Sequence, residues 1–171
     1  MKRLSVAVIA ILALTTLSFL SCKKDKSSYK LDVHLTDAPA AFDEVNVDIK
    51  EVKVKLRGDT TSWISLNTNA GIYNLLGLQN GVDTLLATGT LPSNFVQEVR
   101  LYLGTDNTIT VAGQTYPLEL NNGDQEKLMI KVDKQINSTV DSLTIDFDAA
   151  LSVVLEGNGT YRLSPVLRLK N

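Results

Sequence analysis

Apolar and polar residues alternate with a period of two along most of this chain, and this alternation restricts the fold more than any other feature. It is clearest at residues 31–35 and 95–103. The apolar positions there are Leu31, Val33, Leu35, Val99, Leu101 and Leu103. A period of two places every second side chain on one face of a β-strand, whereas a helix repeats about every 3.6 residues. Segments with the helical period are almost missing after residue 28, so the sequence predicts an all-β domain.

The longest alternating run changes parity in its middle. Its first apolar residues occupy odd positions and its later ones even positions. These residues are Val45, Val47 and Ile49, followed by Val52, Val54 and Leu56. A β-bulge adds one residue to one strand of a pair, so a bulge near Lys50-Glu51 would restore one continuous inward face. We therefore predict such a bulge.

Turn signals divide the rest of the chain into short strands. The predicted strands are Trp63–Leu66, Asp83–Ala87, Phe95–Leu103, Thr108–Val111, Gln114–Leu118, Leu128–Val132, Leu143–Phe147, Ser152–Leu155 and Tyr161–Leu169. Ala112-Gly113 is a two-residue hairpin signal, while Asn69–Leu78 fits a helical turn or wide loop as well as a strand. Many short strands separated by turns indicate a sandwich or barrel. We predict an antiparallel β-sandwich with Greek-key-like connections, and the immunoglobulin-like and transthyretin-like versions both remain open.

The N-terminal segment resembles a bacterial lipoprotein signal. Two basic residues begin it, residues 4–20 are mostly apolar, and Phe19–Cys22 resembles a lipobox. A signal of this kind is cut before the cysteine, whose thiol then carries lipid, so residues 1–21 are excluded from the fold. The alternative is an uncleaved anchor, because residues 4–20 approach the roughly 17 to 25 residues of a spanning helix.

The predicted organisation is a signal peptide over residues 1–21, a flexible tether over residues 22–28 and one sandwich domain over residues 29–171. A domain of about this size buries roughly 70% of its unfolded surface, so it needs no disulfide. Lipid on Cys22, the single cysteine, would anchor the protein to the membrane and leave no thiol for a disulfide. We expect the cell envelope of a Gram-negative bacterium, on the periplasmic face or the cell surface.

The charge of the chain argues against nucleic acid as a partner. Its formal net charge is −2, and removing the two basic residues of the signal makes it about −4. No basic patch or arginine-rich run appears in the sequence. Because clustered Lys and Arg are the footprint of nucleic-acid binding, we predict no such partner.

Few residues of this chain suit catalysis. His34 is the only histidine, and its parity places it on the solvent side, so a catalytic triad or a multi-histidine zinc site has little support. Asp146 and Asp148 share the polar face of one predicted strand, which leaves a carboxylate-dependent glycan hydrolase as the alternative function. Asp37 and Asp43 are candidate ligands for calcium, the one cofactor left open. An aspartate before Ala-Pro also forms a turn through its own hydrogen bonds.

Aromatic side chains are the candidates for ligand binding. Tyr102 falls on the polar side of its strand, so we predict that it is exposed. Phe42 and Tyr73 lie in two long loops, where they either contact a ligand or pack into the core, and packing is favoured. A lone tryptophan in a small sandwich usually packs between the sheets, so Trp63 is expected in the core.

Several motifs occur in an order that resembles a known family. They are Leu35–Pro39, the valine-rich run Val45–Val54, Tyr73–Gly81, Val99–Leu101, Asp146–Ala149 and Tyr161–Val166. Together they resemble the bacterial lipoprotein family named Domain of Unknown Function 4382, over roughly Tyr29 to Leu169. Pro92–Phe95 departs from the Pro-x-Gly-x-Tyr expected there. The resemblance implies an envelope-associated domain and transfers no catalytic or binding residue.

These observations favour a membrane-anchored envelope lipoprotein that acts as a non-catalytic binding or structural module. The expected partners are the membrane, through lipid on Cys22, and a carbohydrate or an envelope protein. The residues expected to contact a ligand are Phe42, Tyr73 and Tyr102.

Overall fold

The computed structural model describes residues 28–58, 62–120, 128–137 and 140–170. The strands are β1 (Tyr29–Thr36), β2 (Glu44–Leu56), β3 (Ile64–Ser65), β4 (Asn67–Thr68), β5 (Gly71–Asn74), β6 (Thr84–Leu91), β7 (Phe95–Leu103), β8 (Thr108–Val111), β9 (Gln114–Leu120), β10 (Leu128–Gln135), β11 (Val140–Phe147), β12 (Val153–Leu155), β13 (Tyr161–Leu163) and β14 (Leu167–Lys170). A 3₁₀ helix spans Leu75–Leu78, and a short helix, α1, spans Ala149–Ser152. Within these ranges, no helix has the length and apolarity needed to cross a bilayer.

The strands form two sheets that pack face to face, which confirms the predicted all-β sandwich. In the described residues, the smaller sheet has the order β14-β11-β1-β6-β4, and the larger runs β10-β7-β2-β8-β9-β13-β12 with β3 and β5 paired to β2. Most pairs are antiparallel. β1 and β11 run parallel, as do β9 and β13, so the sheets are mixed rather than purely antiparallel.

The parity change in β2 is a β-bulge, as predicted. The register with β7 shifts between Ile49 and Glu51. The apolar residues on both sides of the shift are buried, namely Val45, Val47, Ile49, Val52, Val54 and Leu56. The bulge therefore keeps the apolar face of β2 toward the core along the whole strand.

The core lies between the two sheets and is almost entirely aliphatic. Its largest fully buried side chains include Phe147, Leu31, Leu35, Ile49, Leu75, Leu86 and Leu101. The smaller sheet contributes Leu31 and Leu35, while the larger contributes Ile49 and Leu101. Alternation within each strand sends the intervening polar side chains outward, and this fixes which residues form the outer faces.

Two polar residues of the alternating runs are buried, in contrast to their expected outward position. Thr36 is 1% exposed, because its hydroxyl donates to the carbonyl oxygens of Leu78 and Val82 at 2.9 and 2.7 Å. Asp48 is also 1% exposed, because residues 104–107 cover it. Long-range hydrogen bonds satisfy the Thr36 hydroxyl and the backbone N–H of Asp48, whereas Oδ1 of Asp48 is buried with no hydrogen-bond partner among the described residues. Parity alone reveals neither arrangement.

The C-terminal strand is divided, unlike the single strand predicted over Tyr161–Leu169. β13 pairs with β9 in the larger sheet, whereas β14 pairs with β11 in the smaller one. Pro165 lies in the crossing segment 164–166. Proline lacks a backbone N–H that could donate to a neighbouring strand, and the chain changes sheets at this segment.

Candidate binding face

The outer side of the larger sheet carries basic and aromatic side chains close together. After the bulge, β2 sends Lys53 and Lys55 outward, and β7 sends Arg100 and Tyr102 outward. The register of the two strands places Lys53 opposite Arg100. Trp63 precedes β3, which pairs with β2 on its other edge. We call these five residues the basic aromatic face.

Trp63 packs against cations on this face and is absent from the buried core, so its predicted core position is wrong. It is half-buried. The Arg100 guanidinium carbon lies 4.0 Å from the centre of the indole ring, and the Lys55 ammonium lies 5.9 Å from it. Cations are attracted to the negative face of an aromatic ring, which explains why the side chain stays on the outer surface.

Tyr102 lies on β7 beside Arg100, the residue that packs on Trp63. The Lys53 ammonium is 4.9 Å from the centre of the tyrosine ring, and Arg100 Nη1 donates to the Tyr102 hydroxyl at 3.3 Å. The ring is half-buried rather than fully exposed. Tyr102 is thus on the outer face that its parity predicted, where it forms part of a connected set.

Arg100 and Lys55 are the two cations of this face that form no ion pair among the described residues. Nη2 of Arg100 donates to the Met129 sulfur at 3.1 Å, and among the described residues its buried Nε has no hydrogen-bond partner. By contrast, Lys53 pairs with Glu51 at 3.2 Å. In the described part of the chain, no carboxylate forms an ion pair with Arg100.

Glu51 lies at the edge of the face and is held in its charged form. The Ser65 hydroxyl donates to Glu51 Oε1 at 2.7 Å, and this bond together with Lys53 keeps the pKa of Glu51 below its usual value. Glu98 also points outward, between Lys55 and Lys131 in the strand register. The face is therefore basic at its centre and mixed in charge at its edges.

The carboxylates considered for hydrolysis meet at the end of the smaller sheet. Asp146 ends the polar side of β11, but Asp148 lies beyond the strand and caps α1, so the prediction that both share one strand face is wrong. Asp37 is nearby, since the charges of Asp146 and Asp148 both act on its carboxyl group and raise its pKa. The structure thus brings three acids together where the sequence indicated two.

Burial raises the pKa of two of these acids. It is the main cause for Asp37 and for Asp146, and the charge of Asp148 raises the pKa of Asp146 further. Oδ1 of Asp146 is buried and has no hydrogen-bond partner among the described residues. A raised pKa in a group of acids is a property of many catalytic sites and also of buried structural networks.

Asp37 and Asp148 are occupied by structural hydrogen bonds. Asp37 accepts from the backbone N–H of Ala149 at 2.8 Å and from the Gln79 amide at 3.1 Å. Asp148 accepts from the backbone N–H of Leu151 at 3.0 Å and pairs with Arg168 at 3.4 Å. These contacts fix the loop after β1 against α1.

Two cavities in the described residues are lined by other side chains. One, of about 350 Å³, is lined by Thr105 and residues 117–120, and the other, of about 280 Å³, by residues of β11 and β14 with Lys134. The acidic group therefore lines neither of them.

The two candidate calcium ligands lie in different surroundings. Asp43 Oδ2 accepts from the backbone N–H of Gly113 at 2.8 Å, which ties it to the β8–β9 hairpin. Asp37 is bonded to α1 as described above. Among the described residues, no group of three or more His, Cys, Asp and Glu is arranged to hold a metal ion. Calcium binding at Asp37 and Asp43 stays a prediction.

Phe42 lies in the segment before β2, whereas Tyr73 lies in β5, so its predicted loop position is wrong. Phe42 and Tyr73 are both half-buried and pack against it. The Tyr73 hydroxyl donates to the carbonyl oxygen of Asn69, and burial raises its pKa. Packing is thus the main contact of both Phe42 and Tyr73.

His34 is on the outer side of β1, with Nδ1 2.6 Å from Asp83 Oδ1.

Sequence reasoning missed the cations of the basic aromatic face. Lys53, Lys55 and Arg100 are ordinary polar positions of two strands when read singly. These cations could have been recognised only from the pairing of β2 with β7 beside Trp63. Sequence alone does not give the register of that pairing. Cys22 and the signal preceding it lie outside the described residues.

The fold and the face together define a class, namely an all-β sandwich domain with a basic aromatic outer surface. Comparison with known families then gives the particular one. The chain belongs to the family described as Domain of unknown function (DUF4382), whose model matches residues 29–165. Searches of curated proteins and of solved structures found no match.

Proposed function

We propose that this protein is a lipid-anchored, non-catalytic module of the Gram-negative cell envelope that binds carbohydrate through the basic aromatic face. The observation that carries the proposal is the stack of Arg100 on Trp63, with a separation of 4.0 Å, on the solvent side of the larger sheet. A core role would place the tryptophan between the sheets. A large apolar ring kept at the surface, beside two cations that have no ion pair among the described residues, suits a ligand.

The shape of the face also suits an extended polymer. Neighbouring strands bring Tyr102, Lys53 and Trp63 to one broad surface of the sheet. Aromatic rings and long basic side chains offer apolar area together with hydrogen-bond donors. Carbohydrates present both apolar ring faces and many hydroxyl groups, so such a mixed surface matches them.

Anchoring depends on Cys22, which lies outside the described residues. Six residues separate Cys22 from Tyr29, the first residue of β1, and an extended chain of that length reaches about 20 Å. Lipid at Cys22 would then hold the sandwich near the membrane while leaving its faces accessible. Cys22→Ser should abolish lipid incorporation and release the protein from the membrane fraction, and unchanged retention would contradict the anchor.

A glycan array tests the carbohydrate proposal. The full-length protein, extracted in mild detergent, is applied to neutral and acidic glycans, and bound glycans are confirmed by a rise in melting temperature. We expect binding that Trp63→Ala abolishes. The matched control is Tyr116→Ala, since Tyr116 is an aromatic residue of the same sheet that packs on Tyr161 at 5.2 Å. Absence of binding to every glycan would refute the proposal.

A carboxylate-dependent hydrolase is the second candidate, and the raised pKa of Asp146 supports it. The structural hydrogen bonds of Asp37 and Asp148 favour the binding module over it. Release of reducing ends from a bound glycan, abolished by Asp146→Asn, would establish the hydrolase.

A further inference from the structure

We propose that the basic aromatic face selects glycans that bear carboxylate groups, and that the Arg100 guanidinium binds the carboxylate. This inference rests on the proposed carbohydrate function and names the class of ligand. It depends on three independent features of Arg100, which are its stacking, its cross-strand neighbour and its unfilled hydrogen-bonding capacity.

Stacking on Trp63 favours binding through the edge of the guanidinium. The separation of 4.0 Å places the guanidinium against the indole ring, so part of the ring is covered and less available to stack on a sugar. The same contact fixes the guanidinium carbon against one face of the ring. A planar, restrained fork of donors suits a carboxylate, which can accept two parallel hydrogen bonds.

The cross-strand neighbour of Arg100 adds a second positive charge. Lys53 is directly opposite Arg100 in the β2–β7 register. Like charges directly opposite on neighbouring strands destabilise a sheet. Glu51, at the edge of the face, offsets the charge of Lys53, since its Oε2 lies 3.2 Å from the Lys53 ammonium nitrogen. Arg100 has no such partner among the described residues. An anionic ligand at this position would relieve the repulsion.

The hydrogen bonds that Arg100 does make are weak ones. Its acceptors are the Tyr102 hydroxyl, at 3.3 Å, and the Met129 thioether sulfur, at 3.1 Å. Its Nε is buried and has no hydrogen-bond partner among the described residues, so a ligand would contact the terminal nitrogens instead. A thioether is a weak acceptor, whereas hydrogen bonds from a guanidinium to a carboxylate are about twice as strong as neutral ones. The two terminal nitrogens of Arg100 are thus better satisfied by a bound carboxylate than by the protein.

The charges around the face favour a glycan over a phosphate polymer. Glu51 and Glu98 point outward from the same strands, and Asp133 pairs with Lys131 at 3.3 Å. Nucleic acid carries one negative charge per nucleotide and needs a surface of concentrated positive charge. Acidic residues at the edges repel such a polymer. A sugar with one carboxylate among neutral hydroxyls meets the basic centre and avoids this repulsion.

Polygalacturonate and its fully methyl-esterified form provide a matched pair of probes, because they share one backbone and differ in charge. Binding of each to the full-length protein in mild detergent is measured by biolayer interferometry. We expect polygalacturonate to bind at least about tenfold more tightly, as expected for a hydrogen-bonded charge. Equal binding of both forms would overturn the selectivity and leave the carbohydrate function intact. Binding of neither form, with a glycan array that is also empty, would refute both.

Variants then locate the charge that matters. Arg100→Gln should weaken polygalacturonate binding at least about tenfold, and Arg100→Lys should restore part of it, because a lysine keeps the charge and loses the fork. Lys30→Gln is the matched control, since Lys30 is an exposed cation of the smaller sheet, and it should change binding less than about twofold. Equal losses in the control and Arg100→Gln would contradict the proposed site.

Two further measurements keep the result interpretable. If Arg100→Gln lowers the melting temperature, Lys53→Gln replaces it, and unchanged binding by a folded Lys53→Gln would overturn the proposal. Single-stranded poly(dT) serves as the competing polyanion. Tighter binding of poly(dT) than of polygalacturonate would assign the face to nucleic acid and overturn the glycan.

Discussion

Oδ1 of Asp37 accepts a hydrogen bond from the backbone N–H of Ala149 at 2.8 Å, although the two residues are 112 positions apart in the chain. The same carboxylate accepts from Gln79, and the backbone N–H of Asp37 donates to the carbonyl oxygen of Leu78 at 3.1 Å. One residue therefore connects the end of β1, the 3₁₀ helix and the start of α1. Its protonation state should affect the stability of all three.

Replacing Asp37 by asparagine should change how stability depends on pH. Burial raises the pKa of Asp37 above its ordinary value of 3.8, so between these two values the folded protein binds the proton more strongly than the unfolded chain. Raising the pH through this window therefore lowers the free energy of unfolding. Asp37→Asn cannot ionise and escapes this loss.

Urea unfolding at several pH values from 3 to 7 measures the effect. The free energy of unfolding of Asp37→Asn, relative to the unmodified protein, should rise with pH above 3.8 and then level off. Glu119→Gln, at an exposed position of β9, is the control for removing a negative charge. Parallel curves for Asp37→Asn and the unmodified protein would show that Asp37 does not titrate as described.

The elements that the sequence predicted correctly are those fixed by local chemistry. The β8–β9 hairpin forms where Ala112 and Gly113 both adopt positive φ, at 51° and 77°, as a tight two-residue turn requires. The bulge near Lys50 follows from the parity of the apolar residues, since a strand with one buried face must keep its apolar side inward. Both signals lie within a few consecutive residues.

The features that the sequence did not predict depend on distant partners. Trp63 is outside the core because Arg100 and Lys55 hold it on the outer face, and this requires the β2–β7 register. Asp48 is buried under the segment that contains Asn107. Its backbone N–H donates to Oδ1 of Asn107 at 2.9 Å, where a neighbouring strand would offer a backbone carbonyl. Neither contact leaves a periodic signal. The binding face could therefore be proposed only once the strands were paired.

Gly104→Ala should destabilise the protein because Gly104 closely approaches Asp48. A Cβ at position 104 would lie 1.9 Å from Asp48 Oδ2 and 2.4 Å from the Lys50 Cε atom. Asp48 is 1% exposed and pairs with Lys50 at 2.8 Å, so its carboxylate has little room to move. We expect a loss of about 2 kcal/mol, within the usual cost of overpacking.

Chemical denaturation of Gly104→Ala beside Gly77→Ala checks this expectation. A Cβ at Gly77 would meet nothing within 4 Å, so the control should change stability by less than about 1 kcal/mol. If the two variants are equally stable, the close approach does not constrain position 104.

Phe42→Ala should destabilise the fold and thereby separate packing from ligand binding at this loop. Phe42 is half-buried and packs against the core. We expect a loss of about 2 kcal/mol, below the roughly 3 to 5 kcal/mol of a fully buried phenylalanine. Leu155→Ala is the control, since Leu155 is 63% exposed. A Phe42→Ala protein that is as stable as the control would instead revive Phe42 as a ligand contact.

Thr88→Val should raise the pKa of Asp32, because the Thr88 hydroxyl donates to Asp32 Oδ1 at 2.5 Å. This bond is the main reason that the pKa of Asp32 lies below 3.8, with Lys30 contributing further. The folded state therefore gains stability above pH 3.8 and loses it as the pH falls through the lowered pKa. Valine keeps the shape of threonine and removes the donor, so we expect the free energy of unfolding to fall by about 1 kcal/mol at neutral pH.

Carbon-13 NMR of the Asp32 carboxyl group follows the titration, with Thr90→Val as the control at an exposed position of the same strand. An unchanged Asp32 pKa in Thr88→Val would show that the hydroxyl does not stabilise the charge.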